Sequence, residues 1–212
     1  MTAIEVIELM AVMTATIYGI LLAVRSGLDL TGMFAVAFAA AFGGGTLRDL
    51  CLDRSPLFWM SASHYPVIVF FLCLGAIVVP KLVLKMEKYL LYPDALGMGL
   101  FAVVGSAIAF SSGTTLFLAA LFGVMTGTFG GVVAEIICNR IPATFRPGTP
   151  LNITCCFAGS WVFLLSLHLG VPKSWAMALG VTVVTVTRIL AVNYHWTLGR
   201  LNRFSNGENT KG

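Results

Sequence analysis

A chain of 212 residues that is 58% hydrophobic and only 10% charged, at a mean hydropathy of +0.92, lacks the polar surface of a soluble domain and is expected to be a polytopic membrane protein. Its formal net charge of +4 follows from where Lys and Arg fall around the membrane, so no nucleic-acid partner is needed to explain it.

A helix needs about 20 mainly apolar residues to cross a hydrocarbon core of roughly 30 Å. Seven such spans are predicted, near 5–25, 30–50, 64–84, 92–110, 115–138, 149–170 and 174–195. The first opens with Glu5 and Glu8, where a secretory leader would carry positive charge, so it reads as a retained helix rather than a cleaved signal. The second contains "FAAAFGGGTLRDL" (38–50). Glycine weakens a helix by about 1 kcal/mol relative to alanine, so Gly43, Gly44 and Gly45 predict either an unwound segment or a close approach by another backbone. In lipid a break is tolerated only where it is buried in protein or lines water.

No charge lies between Asp94 and Glu135, a stretch too long for one helix, and Ser111-Ser112-Gly113-Thr114 divides it into the fourth and fifth spans. The fifth repeats the glycine signal at Gly130 and Gly131. The segment after Trp196, ending SNGENTKG, is polar and is expected to be a disordered tail.

Sliding the chain by 86 residues lays "GGGTLRDLCLDRSP" (43–56) on "FGGVVAEIICNRIP" (129–142). Gly44 pairs with Gly130, Gly45 with Gly131, Asp49 with Glu135, Arg54 with Arg140 and Pro56 with Pro142. Upstream, Gly19 falls on Gly105 and Ser26-Gly27 on Ser112-Gly113. Small residues four apart also match, Ala37, Ala41 and Gly45 falling on Gly123, Gly127 and Gly131, so each helix carries one small-residue ridge. Each copy holds three spans, an odd number, and the second must therefore cross in the opposite sense. The fold expected is all-α transmembrane: seven helices, arranged as two inverted three-helix repeats (1–90 and 91–172) plus a seventh helix (173–197) and a polar cytoplasmic tail (198–212), with helices 2 and 5 broken by glycine.

Lys and Arg placement favours an outside N-terminus and a cytoplasmic C-terminus. Arg25, Lys81, Lys85, Lys88, Arg140, Arg146, Arg200 and Arg203 then lie inside, and Arg48, Arg54 and Lys173 outside. Arg48, Asp49 and Glu135 come within about one turn of the glycines, and ionisable groups at membrane depth face a cavity or pair with one another, unless they cap a helix end at the interface. Asp49 points about 100° away from Arg48 around the helix, so Glu135 is the expected partner of Arg48.

The five cysteines have no C-x-x-C spacing, and packing explains them. No His, Cys or carboxylate cluster has metal-ligand spacing, no nucleophile with a base is visible, and the glycines follow an apolar helix rather than a strand, without the G-K-[ST] ending of a phosphate loop. Neither enzyme, metal nor cofactor is expected.

The segments "GGGTLRD" with "SPLFW" downstream, "DALGMGLFAVVGS", "GVMTGTFGGV" and "CNRIP" together resemble the prokaryotic TRIC (trimeric intracellular cation) channels, whose bacterial relatives are also described as a glycine transporter family. The resemblance covers about residues 5 to 200. It implies seven transmembrane helices in two inverted repeats plus one, a homotrimer in the cell (inner) membrane, and one potassium-permeable pathway per protomer beside kinks in helices 2 and 5. One departure stands out: the second G-G-G-x-x-R-D pattern has lost its arginine, Ala134 standing there, and keeps only the carboxylate of Glu135. The function expected is a monovalent-cation channel, potassium first, with Gly43, Gly44, Gly45, Gly130 and Gly131 along the path and Arg48, Asp49 and Glu135 as its charged or gating groups. A transporter of glycine or another small amino acid is the alternative, since half-helix N-termini can hold a carboxylate, and a non-transporting membrane scaffold is a third class.

Overall fold

The computed structural model describes residues 3–197, so the tail, with Arg200 and Arg203, lies outside the described residues. The chain is all-helical: α1 (Ala3–Arg25), α2 (Leu30–Cys51), the short α3 (Phe58–Ser61), α4 (His64–Val78), α5 (Pro80–Met86), α6 (Leu91–Ser111), α7 (Leu116–Ile137), α8 (Ile153–His168) and α9 (Lys173–Asn193). Five of these, α1, α2, α6, α7 and α9, are long and apolar enough to cross a membrane. The other two apolar helices, α4 and α8, have 15 and 16 residues, or about 22 to 24 Å at 1.5 Å per residue, and fall short of a 30 Å core.

Two predicted spans are therefore corrected. The third was to run unbroken to residue 84, but α4 stops at Val78 and a separate helix starts at Pro80. Proline has no N–H for the preceding turn and biases the residue before it away from helix. The sixth was to begin at 149 but begins at Ile153, because residues 150–151 form a different contact: Leu151 N–H donates to the Trp196 carbonyl at 2.8 Å, beside an isolated bridge between Pro150 and Thr197.

The larger correction concerns the glycines. α2 runs as one helix through Gly43, Gly44 and Gly45, and α7 does so through Gly130 and Gly131, so neither is broken. What the glycines supply is proximity. A Cβ on Gly44 would overlap the Thr126 carbonyl, and one on Gly130 would overlap the Ala40 carbonyl. These two contacts are reciprocal, since Ala40 and Thr126 stand in the same 86-residue register as Gly44 and Gly130. α2 and α7 thus touch backbone to backbone, and their ladders need not open to let them do so.

The register recurs in detail. Asp29 caps α2 by accepting from Gly32 N–H at 2.8 Å, and Thr115 caps α7 by accepting from Leu118 N–H at 3.4 Å. Ahead of each cap, Ser26 and Ser112 donate to Leu22 and Ile108 carbonyls at 2.8 and 3.0 Å. Gly27 and Gly113 follow with φ of +70° and +85°, which glycine adopts without a Cβ clash. At the far ends Asp53 and Asn139 take φ of 51° and 54°, and Arg54 and Arg140 donate their N–H to the carbonyls of Asp49 and Glu135. One apolar core packs α1, α2 and α4 around Val12, Val36 and Val69; a second packs α6, α8 and α9 around Val103, Phe163 and Met177. Outward-facing residues such as Phe71 on α4 and Trp175 on α9 are exposed, as a lipid-facing surface requires.

Candidate functional site

The C-terminal turns of α2 and α7 each aim a carboxylate back at the loop that follows. Asp49 Oδ2 accepts the Phe58 N–H at 2.9 Å, and Glu135 Oε2 accepts the Ala143 N–H at 2.7 Å. The loop is pinned to the helix in both cases, but the second oxygen is served differently. Asp49 Oδ1 takes Arg48 through Nε at 2.8 Å and through a terminal nitrogen at 2.7 Å, with Arg54 farther off at 3.5 Å. Arg48 and Asp49 are each 1% exposed, and the guanidinium lies over the Phe58 ring, 5.4 Å from its centroid. This end is packed and internally neutralised. Glu135 Oε1 instead takes the Tyr18 hydroxyl at 3.4 Å, a neutral and long contact.

Arg48 therefore pairs with Asp49, and the expected Arg48–Glu135 pair is replaced. The 100° between adjacent residues separates their Cβ directions, and the length of an arginine side chain spans it. Distance excludes the alternative. Gly44 lies against Thr126 and Gly130 against Ala40, so α2 and α7 pass antiparallel, and Arg48, beyond Gly44, and Glu135, beyond Gly130, lie on opposite sides of the crossing. Arg140, just past α7, donates to the Arg25 carbonyl at the end of α1 at 3.2 Å. The crossing brings the glycines together, and α2 and α7 then carry their charges to opposite ends.

Between the crossing and the Glu135 end lies a cavity of about 550 Å³. Its inner wall is made by Ala40, Thr126, Gly130 and Gly131, and its charged wall by Asp94, Glu135 and Arg188, with Tyr18 between them. Arg25 and Lys88, both exposed, also line it, as does Asn152 at the start of α8. Arg188 is 7% exposed. It donates to the carbonyls of Pro150 and Leu151, both at 3.1 Å, and stands 3.6 Å from Asp94. Of the residues singled out from sequence, Gly130, Gly131 and Glu135 line this cavity. Gly43 and Gly44 sit at the crossing, while Gly45, Arg48 and Asp49 belong to the packed end, where Phe58 lies against Gly45.

Sequence reasoning missed Tyr18, Asp94 and Arg188. Two signals were available. Asp94 stands in the 86-residue register with Glu8, and Arg188 is a cation inside the apolar run of the seventh span. Among the described residues no group of three or more His, Cys, Asp or Glu is placed to hold a metal ion.

Comparison with known proteins adds three findings. The family model described as "Glycine transporter" matches this chain twice, at residues 5–81 and 91–168, the starts being separated by the same 86 positions. The Escherichia coli K12 inner membrane protein YadS is 30% identical over 193 residues, covering 90% of this chain and 92% of its own, and a Vibrio cholerae membrane protein is 27% identical, covering 91% and 80%. Among solved structures, a TRIC cation channel superposes with a TM-score of 0.83 at 30% identity over 92% of this chain and 96% of its own. The TRIC trimeric intracellular cation channel orthologue of Rhodobacter sphaeroides does so with 0.85 at 27%, covering 92% and 99%.

Proposed function

Because this chain belongs to the glycine transporter family, in its prokaryotic TRIC channel branch, we propose that it is a cation channel, selective first for potassium, with one pathway through each protomer. The cavity carries the reading. It leads from two carboxylates, Asp94 and Glu135, to the glycine contacts where α2 and α7 meet. Carboxylates and the carbonyl end of α7 make that wall attractive to a cation.

The path would continue along the α2–α7 crossing past Gly43, Gly44 and Gly45 to Arg48 and Asp49, whose buried pair closes the other end. Gating is then a rearrangement of that pair and of the loop that Asp49 holds. The repeats, 1–90 and 91–172, would be inverted, with α9 added and the polar tail following; matching caps, turns and glycine contacts support this. The orientation favoured by Lys and Arg places the cavity on the cytoplasmic side of the inner membrane, and the related trimeric channels favour a homotrimer in lipid.

A second reading, carriage of glycine or a similar small zwitterion, is favoured by the cavity's mixture of carboxylates with a guanidinium. Proteoliposomes loaded with potassium separate the two. A channel releases potassium rapidly without any amino acid outside, whereas a carrier gives slow, saturable glycine uptake and little potassium loss.

A further inference from the structure

The carboxylates at the two helix ends each have a companion. Glu8 on α1 and Asp94 on α6 stand in the same 86-residue register as Asp49 and Glu135. Asp94 and Glu135 line one cavity together with Arg188, which stands 3.6 Å from Asp94, while Glu8 and Asp49 are both buried in the other half. The chain thus carries an Asp94–Glu135 pair in the cavity and, in register with it, two buried carboxylates, Glu8 and Asp49, in the other half. Carboxylates in a low-dielectric setting call for a cation, and neighbouring ones repel. In the buried half Asp49 has Arg48, supplied by its own repeat. The residue in register with Arg48 is Ala134, which supplies none.

We propose that Arg188 of α9, a helix outside both repeats, is the counter-cation of the Asp94–Glu135 pair and sets the charge that the cavity presents to a passing cation. The inference rests on the conducting function proposed above. Its geometry differs from that of Arg48 in a way that matters. Arg48 sits 2.7 Å from Asp49 and cancels it. Arg188 is anchored to the Pro150 and Leu151 carbonyls and stands 3.6 Å from Asp94; each arginine keeps one buried nitrogen with no hydrogen-bond partner among the described residues, so the anchoring and the longer ion pair are what differ. The charge of Arg188 is held in the wall by backbone carbonyls and shared with Asp94 in a longer ion pair, while Glu135 takes the neutral Tyr18 hydroxyl. Two carboxylates and one arginine leave one net negative charge there, enough to draw a cation in without trapping it. Arg25 and Lys88 also line the cavity; both are exposed and both are common to the parent protein and every variant below, so they drop out of the differences.

Unitary conductance against KCl concentration tests this. Arg188→Gln is expected to raise conductance about two- to five-fold in 0.01 M KCl, where the Debye length is about 30 Å, and to converge on the parent protein at 1 M, where it is about 3 Å. Asp94→Asn is expected to lower it in dilute salt, and the double variant Arg188→Gln with Asp94→Asn to return it towards the parent value. A distorted path would lower conductance at every salt concentration, so a salt-independent change, or none, overturns the proposal. Melting temperatures of the same three variants supply a readout that needs no current: non-additive shifts are expected, and additive ones count against the pairing. If the parent protein gives no unitary steps under any condition, the channel reading fails instead, and the melting cycle still decides whether Arg188 serves Asp94.

Discussion

Arg48 and Asp49 form a buried pair in which each residue depends on the other. Removing one partner of such a pair strands a charge and costs about 3 to 5 kcal/mol, whereas removing both can be nearly neutral. Asp49→Asn is therefore expected to be more damaging to the folded protein than Arg48→Met with Asp49→Leu together, measured by thermal unfolding in detergent. Arg48→Ala and Glu135→Ala, at opposite ends, should have additive effects. At this scale the sequence singled out Arg48 and Asp49 but gave Arg48 the wrong partner. An arginine can reach its neighbour or a residue on another helix, and only the direction in which α2 and α7 diverge from the crossing selects between them. Gly44 and Gly130 present the same ambiguity. Glycine permits both unwinding and close approach, and the facing carbonyls of Thr126 and Ala40 are what choose the second. Leucine at Gly44 or Gly130 must push the crossing helices apart, with a stability loss of about 1 to 3 kcal/mol or more from overpacking, and we expect it to abolish potassium flux from proteoliposomes. Parent-level flux in either variant would remove the crossing from the path.

Helices α2 and α7 begin and end with the same devices, and these were legible in advance as Ser-Gly pairs and as the Asp and Glu that share a register. Their energies are expected to differ with their geometry. Asp29 accepts at 2.8 Å and Thr115 at 3.4 Å; loss of an N-cap costs about 1 kcal/mol, so Asp29→Ala should lower the melting temperature more than Thr115→Ala. Equal shifts would mean that the caps contribute less than the packing around them. The boundary between α4 and α5 was misread because hydropathy stays high across Val78 and Val79, while the proline that ends the helix carries no weight in an apolar count. The contribution of α9 was missed for another reason. A repeat search looks for what the two halves share, and Arg188 lies in neither.

For the whole molecule, the register of 86 residues is visible in sequence, in hydrogen bonding and in the doubled family match, so architecture was the most legible level. The cavity was the least legible, because it arises from a difference between the halves. One end is filled by Arg48 and Phe58, while the other, at Glu135 and Ala143, opens onto the cavity. Native mass measurement of the detergent-solubilised, active protein is expected to give a trimer. The central claim, that a cation crosses each protomer along the α2–α7 contact, is tested most directly by recording purified protein in a planar bilayer under a KCl gradient. The account requires discrete unitary steps whose reversal potential lies towards that of potassium, and that vanish in Gly44→Leu. Steps reversing towards the chloride potential, or an electrically silent protein that takes up glycine with saturation, would contradict it.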